Sequence, residues 1–224
     1  MVMDIVDWIF PKMCSGCRRE GEYICDNCQK KMIKPEQICP MCCKPSIDGW
    51  THPRCRRHDG MERLLVGLPY KGVVQQCLKK VKYKSAWDII SFLFEIWSKN
   101  CSDTVSRDMV ITCVPMWREK EHQRGFNQAE LISTCVAEKN KGRTFVFLER
   151  TRETKPMFGL KKKERQANIA GAFRLVRQYT NAKIQESVVI LVDDVWTTGA
   201  TMRECARILK QAGAKEIWGV ALAR

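Results

Sequence analysis

The sequence predicts an α/β fold in which helices flank a parallel sheet and a small zinc-binding module comes before the sheet. The first 60 residues contain several cysteine pairs with the spacing of metal ligands. Beyond them, apolar runs typical of strands alternate with amphipathic helical segments, an order that indicates a parallel sheet. We therefore expect a zinc-binding module at residues 1–60 and a larger α/β domain at residues 61–224.

The composition indicates a basic protein with an anionic partner. The 224 residues include 39 Lys and Arg against 25 Asp and Glu, a formal net charge of +14. No apolar run approaches the roughly 20 residues of a membrane helix, and the N-terminus does not resemble an export signal. We therefore expect a cytoplasmic protein without a transmembrane segment, in which the 13 cysteines stay reduced.

Four candidate metal-ligand pairs follow one another in the expected module. A two-residue gap lets both side chains of a pair reach one tetrahedral ion, and two pairs close a structural zinc site. The expected reducing compartment argues against the alternative, a disulfide scaffold. The sequence thus predicts about two zinc ions, bound by Cys14, Cys17, Cys25, Cys28, Cys39, Cys42, Cys55 and His58.

The partition of these ligands between the two ions stays open. Sequential sites would use the first two pairs and then the last two, whereas a cross-brace would exchange the second and third pairs. The short gap between Cys17 and Cys25 favours the sequential scheme. His52 is a rival for the eighth ligand, but His58 has the matching spacing. So small a module has little apolar core, and we expect the metal to supply most of its folding free energy.

The larger domain shows the expected alternation of helices and strands. Asn127, with Glu130 three residues on, is a candidate cap for a helix that runs to Ala137. A polar stretch rich in arginine and lysine, residues 150–172, could close over a polyanion. The expected helices lie at residues 70–84, 86–97 and 127–137 and after residue 201, and the expected strands at residues 110–114, 145–148, 188–192 and 216–223.

The turn after the strand at residues 188–192 has the chemistry of a phosphate-binding site. Asp193 and Asp194 come where the strand should leave its sheet, and Thr-Thr-Gly-Ala-Thr follows at residues 197–201. Glycine permits a sharp turn, threonines supply hydroxyls, and the start of the next helix offers unpaired N–H groups to an anion. The two carboxylates would repel a phosphate, so they suit ribose hydroxyls, a magnesium ion or positive charge on a sugar ring.

An ordinary helix cap is the alternative for this turn, because Thr201 and Glu204 have the spacing of a capping box. The full string of apolar run, Asp-Asp, two residues and Thr-Gly-x-Thr is more specific. It resembles the signature of type I phosphoribosyltransferases, which bind phosphoribosyl pyrophosphate with magnesium. By that resemblance Asp193 and Asp194 would face the ribose and the magnesium ion, as catalytic groups if the protein is an enzyme. The 5-phosphate would be held by Thr197, Thr198, Gly199, Ala200 and Thr201.

Further motifs resemble the ComF family of competence proteins over nearly the whole chain. They include the cysteine pairs, Arg-Gly-Phe-Asn-Gln at residues 124–128, Arg-x-Arg-x-Thr at residues 150–154 and Gly-Ala-Phe at residues 171–173. His58 departs from the pattern, since the family commonly carries cysteine there. The resemblance implies a pyrophosphate contact from Arg118 or Arg124, and a hood formed by residues 150–163.

Three functions remain open at this point. The family resemblance implies a competence factor that helps single-stranded DNA enter the cytosol, with other competence proteins as possible partners. The intact signature also suits a true phosphoribosyltransferase of nucleotide metabolism, although no feature names its acceptor. A nucleic-acid-binding regulator that responds to phosphoribosyl pyrophosphate is the third. The candidate contacts to nucleic acid are basic residues outside the signature: Arg54, Arg56, Arg57, Lys79, Lys80, Lys82 and Lys84.

Overall fold

A five-stranded parallel sheet forms the centre of the computed structural model, which describes residues 11–81, 86–101, 109–155, 159, 161–176 and 183–224. The strand order is β1-β7-β6-β2-β3, and every neighbouring pair runs parallel. A separate antiparallel pair, β4 and β5, lies outside this sheet. The strands are β1 Arg63–Leu68, β2 Val110–Cys113, β3 Arg143–Thr144, β4 Leu148–Arg150, β5 Phe173–Leu175, β6 Val188–Val195 and β7 Glu216–Ala223.

Helices cover both faces of the sheet, which confirms the predicted architecture. One apolar core packs α2, α3 and α5 against one face, and the other packs α7 and the β4–β5 pair against the opposite face. None of the described helices is long and apolar enough to cross a membrane. The helices are α1 Asp26–Gln29, α2 Gly72–Lys80, α3 Ala86–Asn100, α4 Arg118–Arg124, α5 Gln128–Asn140, α6 Lys162–Ile169 and α7 Ala200–Gln211.

The central strand β6 owes its place to a continuous apolar run. Residues 189–192 have no exposed surface, as strands covered on both faces require. The strand also continues beyond the predicted end, because Asp193 and Val195 still pair with β7. The two carboxylates therefore stand on the last residues of a sheet strand, whose hydrogen bonds hold their backbone.

The prediction of one strand at residues 145–148 is wrong. The chain pairs with β2 only at Arg143–Thr144 and forms β4 at Leu148–Arg150 in the separate pair. Between these two strands Phe145 and Phe147 stack with ring centroids 5.4 Å apart, and Phe147 is fully buried. Burial of Phe147 thus directs the chain away from the sheet, and β4 begins the separate antiparallel pair.

The cysteine-rich segment packs directly against the larger domain. Gln37 donates a hydrogen bond from Nε2 to the carbonyl oxygen of Val66 on β1 at 2.7 Å. Near the first cysteine pairs, Ser15 accepts hydrogen bonds from Lys80 Nζ at 3.1 Å and Cys77 Sγ at 3.2 Å, both on α2. The cysteine-rich segment therefore makes apolar and polar contacts with the α/β domain. These contacts compensate for the small core of the segment.

Candidate functional site

A cleft of about 330 Å³ opens at the carboxyl ends of β2 and β6. In parallel sheets the carboxyl ends of adjacent strands and their loops form the usual ligand site. Asp193 and Asp194 enter this cleft from β6, and residues 114–116 enter it from the loop after β2. The remaining lining residues are Tyr70, Asn127, Gln128, Ala129, Arg150, Ile169, Val195, Thr197 and Thr201.

The turn between β6 and α7 has a backbone that only glycine allows. Gly199 has φ 73°, in the left-handed region, and a Cβ there would lie 2.2 Å from Cζ2 of the buried Trp196 ring. The absent side chain thus permits both the turn and the close approach of the indole. Residues 195–202 surround a narrow recess together with Asp193, so the predicted phosphate-binding residues 197–201 do come together.

The alternative of an ordinary capping box at this turn is wrong. Helix α7 begins after Gly199, and among the described residues no side-chain hydrogen bond caps its start. Glu204 instead accepts a hydrogen bond from the Gly171 N–H at 3.1 Å and pairs with Arg207 at 2.8 Å. Within the described part of the chain the start of α7 thus lacks a side-chain cap, which is the arrangement that favours an anion.

The two carboxylates are held in an environment that disfavours their charge. Asp193 Oδ1 accepts a hydrogen bond from the Asp194 N–H at 2.9 Å, and Asp194 Oδ1 accepts one from the Val195 N–H at 2.7 Å. Burial raises the pKa of Asp193 well above its usual range, and repulsion by Asp194 adds to this. Burial also raises the pKa of Asp194. A bound cation would relieve both penalties.

Arginine side chains surround the carboxylates. The charge of Arg150 opposes the rise of the Asp193 pKa, and that of Arg124 opposes the rise of the Asp194 pKa. Arg124 donates a hydrogen bond to Gln128 Oε1 at 2.7 Å, which orients its guanidinium. Arg118, the other predicted pyrophosphate contact, is exposed and lines a neighbouring pocket of about 500 Å³. The structure thus brings Arg124 close enough to act on the charge of Asp194 and places Arg118 in the neighbouring pocket.

Two arginines of the polar stretch lie at the site: Arg150, which the family resemblance assigns to the hood, and Arg165, to which the sequence pattern assigns no role. Arg150 lines the cleft from the end of β4, hydrogen-bonds to Thr154 and lies 5.5 Å from the ring centroid of Phe173. Arg165 on α6 donates from Nη1 to Thr197 Oγ1 at 3.1 Å. The motif Arg-x-Arg-x-Thr contains Arg150 and Thr154, so a signal for the first of them was present.

Asn127 joins the loop after β2 to helix α5. Its side chain caps the helix by accepting from the Ala129 N–H at 3.1 Å, as predicted, and donates from Nδ2 to the Val114 carbonyl oxygen at 3.0 Å. The side chain is buried. The oxygen and the nitrogen of the Asn127 amide thus both have hydrogen-bond partners. Through them Asn127 holds the loop that faces the carboxylates in place.

The first four cysteines converge into one cluster. The sulfur atoms of Cys14, Cys17, Cys25 and Cys28 all lie within 4.8 Å of one another. Burial raises the pKa of the Cys14 thiol, but backbone N–H groups, led by that of Cys25, outweigh it and lower this pKa to about 6. Four sulfur ligands, one of them readily ionised, fit a structural zinc ion.

The second cluster contains Cys39, Cys42 and Cys55 with His52, and the prediction of His58 as a ligand is wrong. His52 Nδ1 lies 3.4 Å from Cys42 Sγ and 4.0 Å from Cys55 Sγ, within a group whose ligand atoms are all within 4.8 Å. His58 is exposed. The gap from His52 to Cys55 is also two residues, so spacing did not distinguish the histidines. The 3-10 turn Pro53–Cys55 begins right after His52 and folds it onto the cysteines.

The tautomer of His52 suits metal binding. Its Nε2 lies 3.0 Å from the Pro45 carbonyl oxygen, and because a carbonyl only accepts, this nitrogen carries the hydrogen. Nδ1 is then the lone-pair nitrogen and faces the cysteine sulfurs. A carbonyl partner of this kind commonly orients a metal-binding imidazole. The two clusters follow the sequential scheme, and both fit tetrahedral zinc.

The predicted nucleic-acid contacts lie beside different zinc clusters. Arg54, Arg56 and Arg57 are exposed next to the second cluster. Lys79 and Lys80 end helix α2, where Lys80 meets Ser15 next to the first cluster. Lys82 and Lys84 lie outside the described residues.

We expect His52→Ala to weaken zinc binding at the second cluster, because it leaves three ligands. His58→Ala is the matched control, since His58 is exposed and outside the cluster. Metal analysis should find about two zinc ions per parent chain, and a chelator should extract one of them faster from the His52 variant. Faster extraction from the His58 variant instead would restore the original ligand assignment.

We expect Asp193→Asn to stabilise the ligand-free protein at neutral pH, because the amide carries no desolvated charge. A raised folded-state pKa means that ionisation costs stability above the unfolded pKa of about 4, so the gain should vanish as the pH falls to that value. Thermal unfolding should show an increase of about 2–4 °C for each 1 kcal/mol gained. Glu138→Gln, an exposed change on α5, should leave the melting temperature unchanged; equal shifts in both variants would contradict the burial argument.

Family models match two separate parts of the chain. Residues 5–57 match a double zinc ribbon domain, and residues 154–224 match a phosphoribosyl transferase domain. The second match covers residues 154–163 of the predicted hood, together with β6, the turn and α7. Strands β1 and β2 lie outside it, although they belong to the same sheet.

Relatives are similar over most of their length. Competence protein ComFC of Bacillus subtilis is 27% identical over 207 residues, covering 87% of this chain and 81% of that protein. DNA utilization protein YhgH of Escherichia coli K12 is 26% identical over 230 residues, covering 93% and 96%. Competence protein F of Haemophilus influenzae is 24% identical over 221 residues, covering 94% and 90%. These findings confirm the resemblance to the ComF family: one part of the chain matches a double zinc ribbon, another matches a phosphoribosyl transferase domain, and most of the chain is similar to competence and DNA utilization proteins.

Proposed function

We propose that the protein binds phosphoribosyl pyrophosphate with magnesium in the β6–α7 cleft, binds single-stranded DNA through its basic surface, and acts in DNA uptake. One observation carries the ligand proposal. Around one cleft lie two carboxylates, Arg150 and the start of a helix that no described side chain caps. This set offers N–H groups to a phosphate and carboxylates to a magnesium ion and ribose hydroxyls.

Each part of the cleft suits one part of the proposed ligand. Residues 197–201 would surround the 5-phosphate, with N–H groups of α7 and threonine hydroxyls as donors. Asp193 and Asp194 would face the ribose hydroxyls and the magnesium ion, whose charge offsets their desolvation and mutual repulsion. Arg150 and Arg124 would face the pyrophosphate, because the planar guanidinium offers paired donors to phosphate oxygens.

The raised pKa values of the carboxylates imply a pH-dependent affinity. Protonation removes the charge that attracts magnesium, and burial shifts this protonation upward from the usual range of aspartate. The affinity for the magnesium complex should therefore fall as the pH is lowered through the pKa of the pair. The ligand without magnesium should show the opposite dependence, since protonation removes the repulsion between the carboxylates and its phosphates.

Active phosphoribosyl transfer is the alternative that the structure also supports. The pocket of about 500 Å³ beside the cleft shares Pro115, Met116 and Arg150 with it and has apolar walls from Val146, Leu148 and Val176. An acceptor in that pocket would lie beside the proposed ribose position. Release of pyrophosphate that depends on one member of a nucleobase panel would favour the enzyme.

The role in DNA uptake rests on the relatives and on charge. Competence protein ComFC and competence protein F are named for competence, and YhgH for DNA utilization. The chain has a formal net charge of +14. Basic side chains next to both zinc clusters could contact the phosphates of one strand without reading its sequence.

We expect the double change Asp193→Asn and Asp194→Asn to weaken binding of the magnesium complex by roughly 10- to 100-fold, as loss of charged contacts does. Calorimetric titration with magnesium and phosphoribosyl pyrophosphate measures the affinity, and Glu138→Gln on α5 is the control. Unchanged affinity in the double variant would show that these carboxylates do not contact the complex. Absence of any binding to the parent protein would refute the ligand proposal.

We expect Lys79→Glu with Lys80→Glu to weaken binding of single-stranded DNA by reducing phosphate contacts. Two lost contacts should flatten the dependence of log K on log salt by about 1.4, at about 0.7 per contact. The charge-matched control is Lys139→Glu with Lys215→Glu, two exposed lysines away from the clusters. Because Lys80 contacts Ser15, zinc content must be measured alongside. Equal losses in both variants would mean that only net charge matters.

A further inference from the structure

Arg203 connects the β6–α7 turn to the second zinc cluster. From the first turns of α7, it donates from Nη1 to the Thr198 carbonyl oxygen at 2.8 Å, inside the proposed phosphate-binding turn. It also donates from Nε to the Pro40 carbonyl oxygen at 2.6 Å and from Nη2 to Cys43 Sγ at 3.0 Å. Arg203 thus joins helix α7 to a segment that lies 163 residues earlier in the sequence.

The arrangement depends on the shape of guanidinium. Each of its three nitrogens has a different partner, and its central carbon lies 5.2 Å from the ring centroid of Trp196. Trp196 in turn packs against the bare face of Gly199. A lysine at position 203 would keep the charge but would lack donors in three fixed directions.

The zinc-side partners of Arg203 belong to the metal-binding turn. Pro40 stands between the ligands Cys39 and Cys42, and Cys43 follows the second of them. The turn is closed by hydrogen bonds from Cys43 N to Cys39 O and from Cys39 N to Lys44 O, both 2.9 Å. Cys43 has φ 62°, a left-handed conformation that an isolated chain rarely adopts. Zinc bound by Cys39 and Cys42 would fix both ends of this turn, and with them the positions of the Pro40 carbonyl and the Cys43 sulfur.

The first cluster has other contacts. Its segment meets helix α2, where Ser15 accepts from Lys80 and Cys77. By contrast, Met41 of the second cluster shares a groove of about 300 Å³ with Ala200 and Arg203 of α7. The two clusters thus differ in their contacts with the proposed phosphate-binding turn, and the first cluster serves as an internal control for the second.

We propose that Arg203 couples the second zinc cluster to the phosphate-binding turn, so that zinc at this cluster holds the turn in the conformation that receives the phosphate. Arg203 acts as a positioning residue, through the Thr198 carbonyl. The part of this inference that concerns the ligand rests on the proposed function. Because coupling between two sites is reciprocal, a phosphorylated ligand in the cleft should also slow zinc loss from the second cluster.

Amide hydrogen exchange tests the coupling without any ligand. We expect faster exchange at residues 197–201 in His52→Ala and in Arg203→Lys, while exchange in β6 residues 189–192 stays slow and shows that the fold is intact. Cys17→Ser, which disrupts the first cluster, and Arg207→Lys, one turn further along α7, are the matched controls. Unchanged exchange at residues 197–201 in both test variants, or equal acceleration in the controls, would overturn the proposal.

Titration with magnesium and phosphoribosyl pyrophosphate extends the test to binding. We expect His52→Ala and Arg203→Lys to bind about 5- to 150-fold more weakly, the range typical of coupled sites, with the controls unchanged. The ligand should also slow chelator extraction of zinc from the second cluster and not from the first. If the parent protein binds no ligand, the proposed function fails, and the exchange experiment still decides whether the zinc cluster and the turn are coupled. Normal affinity in both test variants would show that the coupling does not reach the ligand.

Discussion

The turn between β6 and α7 imposes the constraint on which the rest of the site depends. A strand buried on both faces ends in two carboxylates, and the chain must then reverse within a few residues to start a helix whose N–H groups face the same cleft. Only glycine fits at position 199, because of its left-handed backbone and the indole of Trp196. The cleft, the helix start and the carboxylates therefore all depend on this one turn, and the arginines lie around them.

The electrostatics of this cleft raise the free energy of the ligand-free protein. Burial raises the pKa of both carboxylates and repulsion by Asp194 adds to the rise at Asp193, so the ligand-free fold carries a penalty at neutral pH. Arg150 and Arg124 offset part of it. A cation and a polyanion bound together would relieve the remainder, which is the common relation between strained charge and binding sites.

The zinc ribbon is structurally part of the domain it precedes. Its second metal-binding turn is held by an arginine of the helix that follows the proposed phosphate-binding turn, and its first cluster contacts α2. A metal-bound module with so few apolar residues gains rigidity from the metal and from the sheet against which it packs. In this arrangement the basic side chains beside the clusters stay exposed, while the residues inside the site are held in position.

The sequence by itself determined the parallel α/β fold, the cysteine pairs, the Asn127 cap and the residues of the β6–α7 turn, because each is encoded in local spacing and periodicity. Only the tertiary structure decided for His52 over His58, since both have a two-residue gap to Cys55 and a 3-10 turn selects between them. It also placed Arg150 and Arg165 in the site and Arg203 between two distant segments. Those positions follow from packing between segments far apart in sequence, and local patterns carry no information on such contacts.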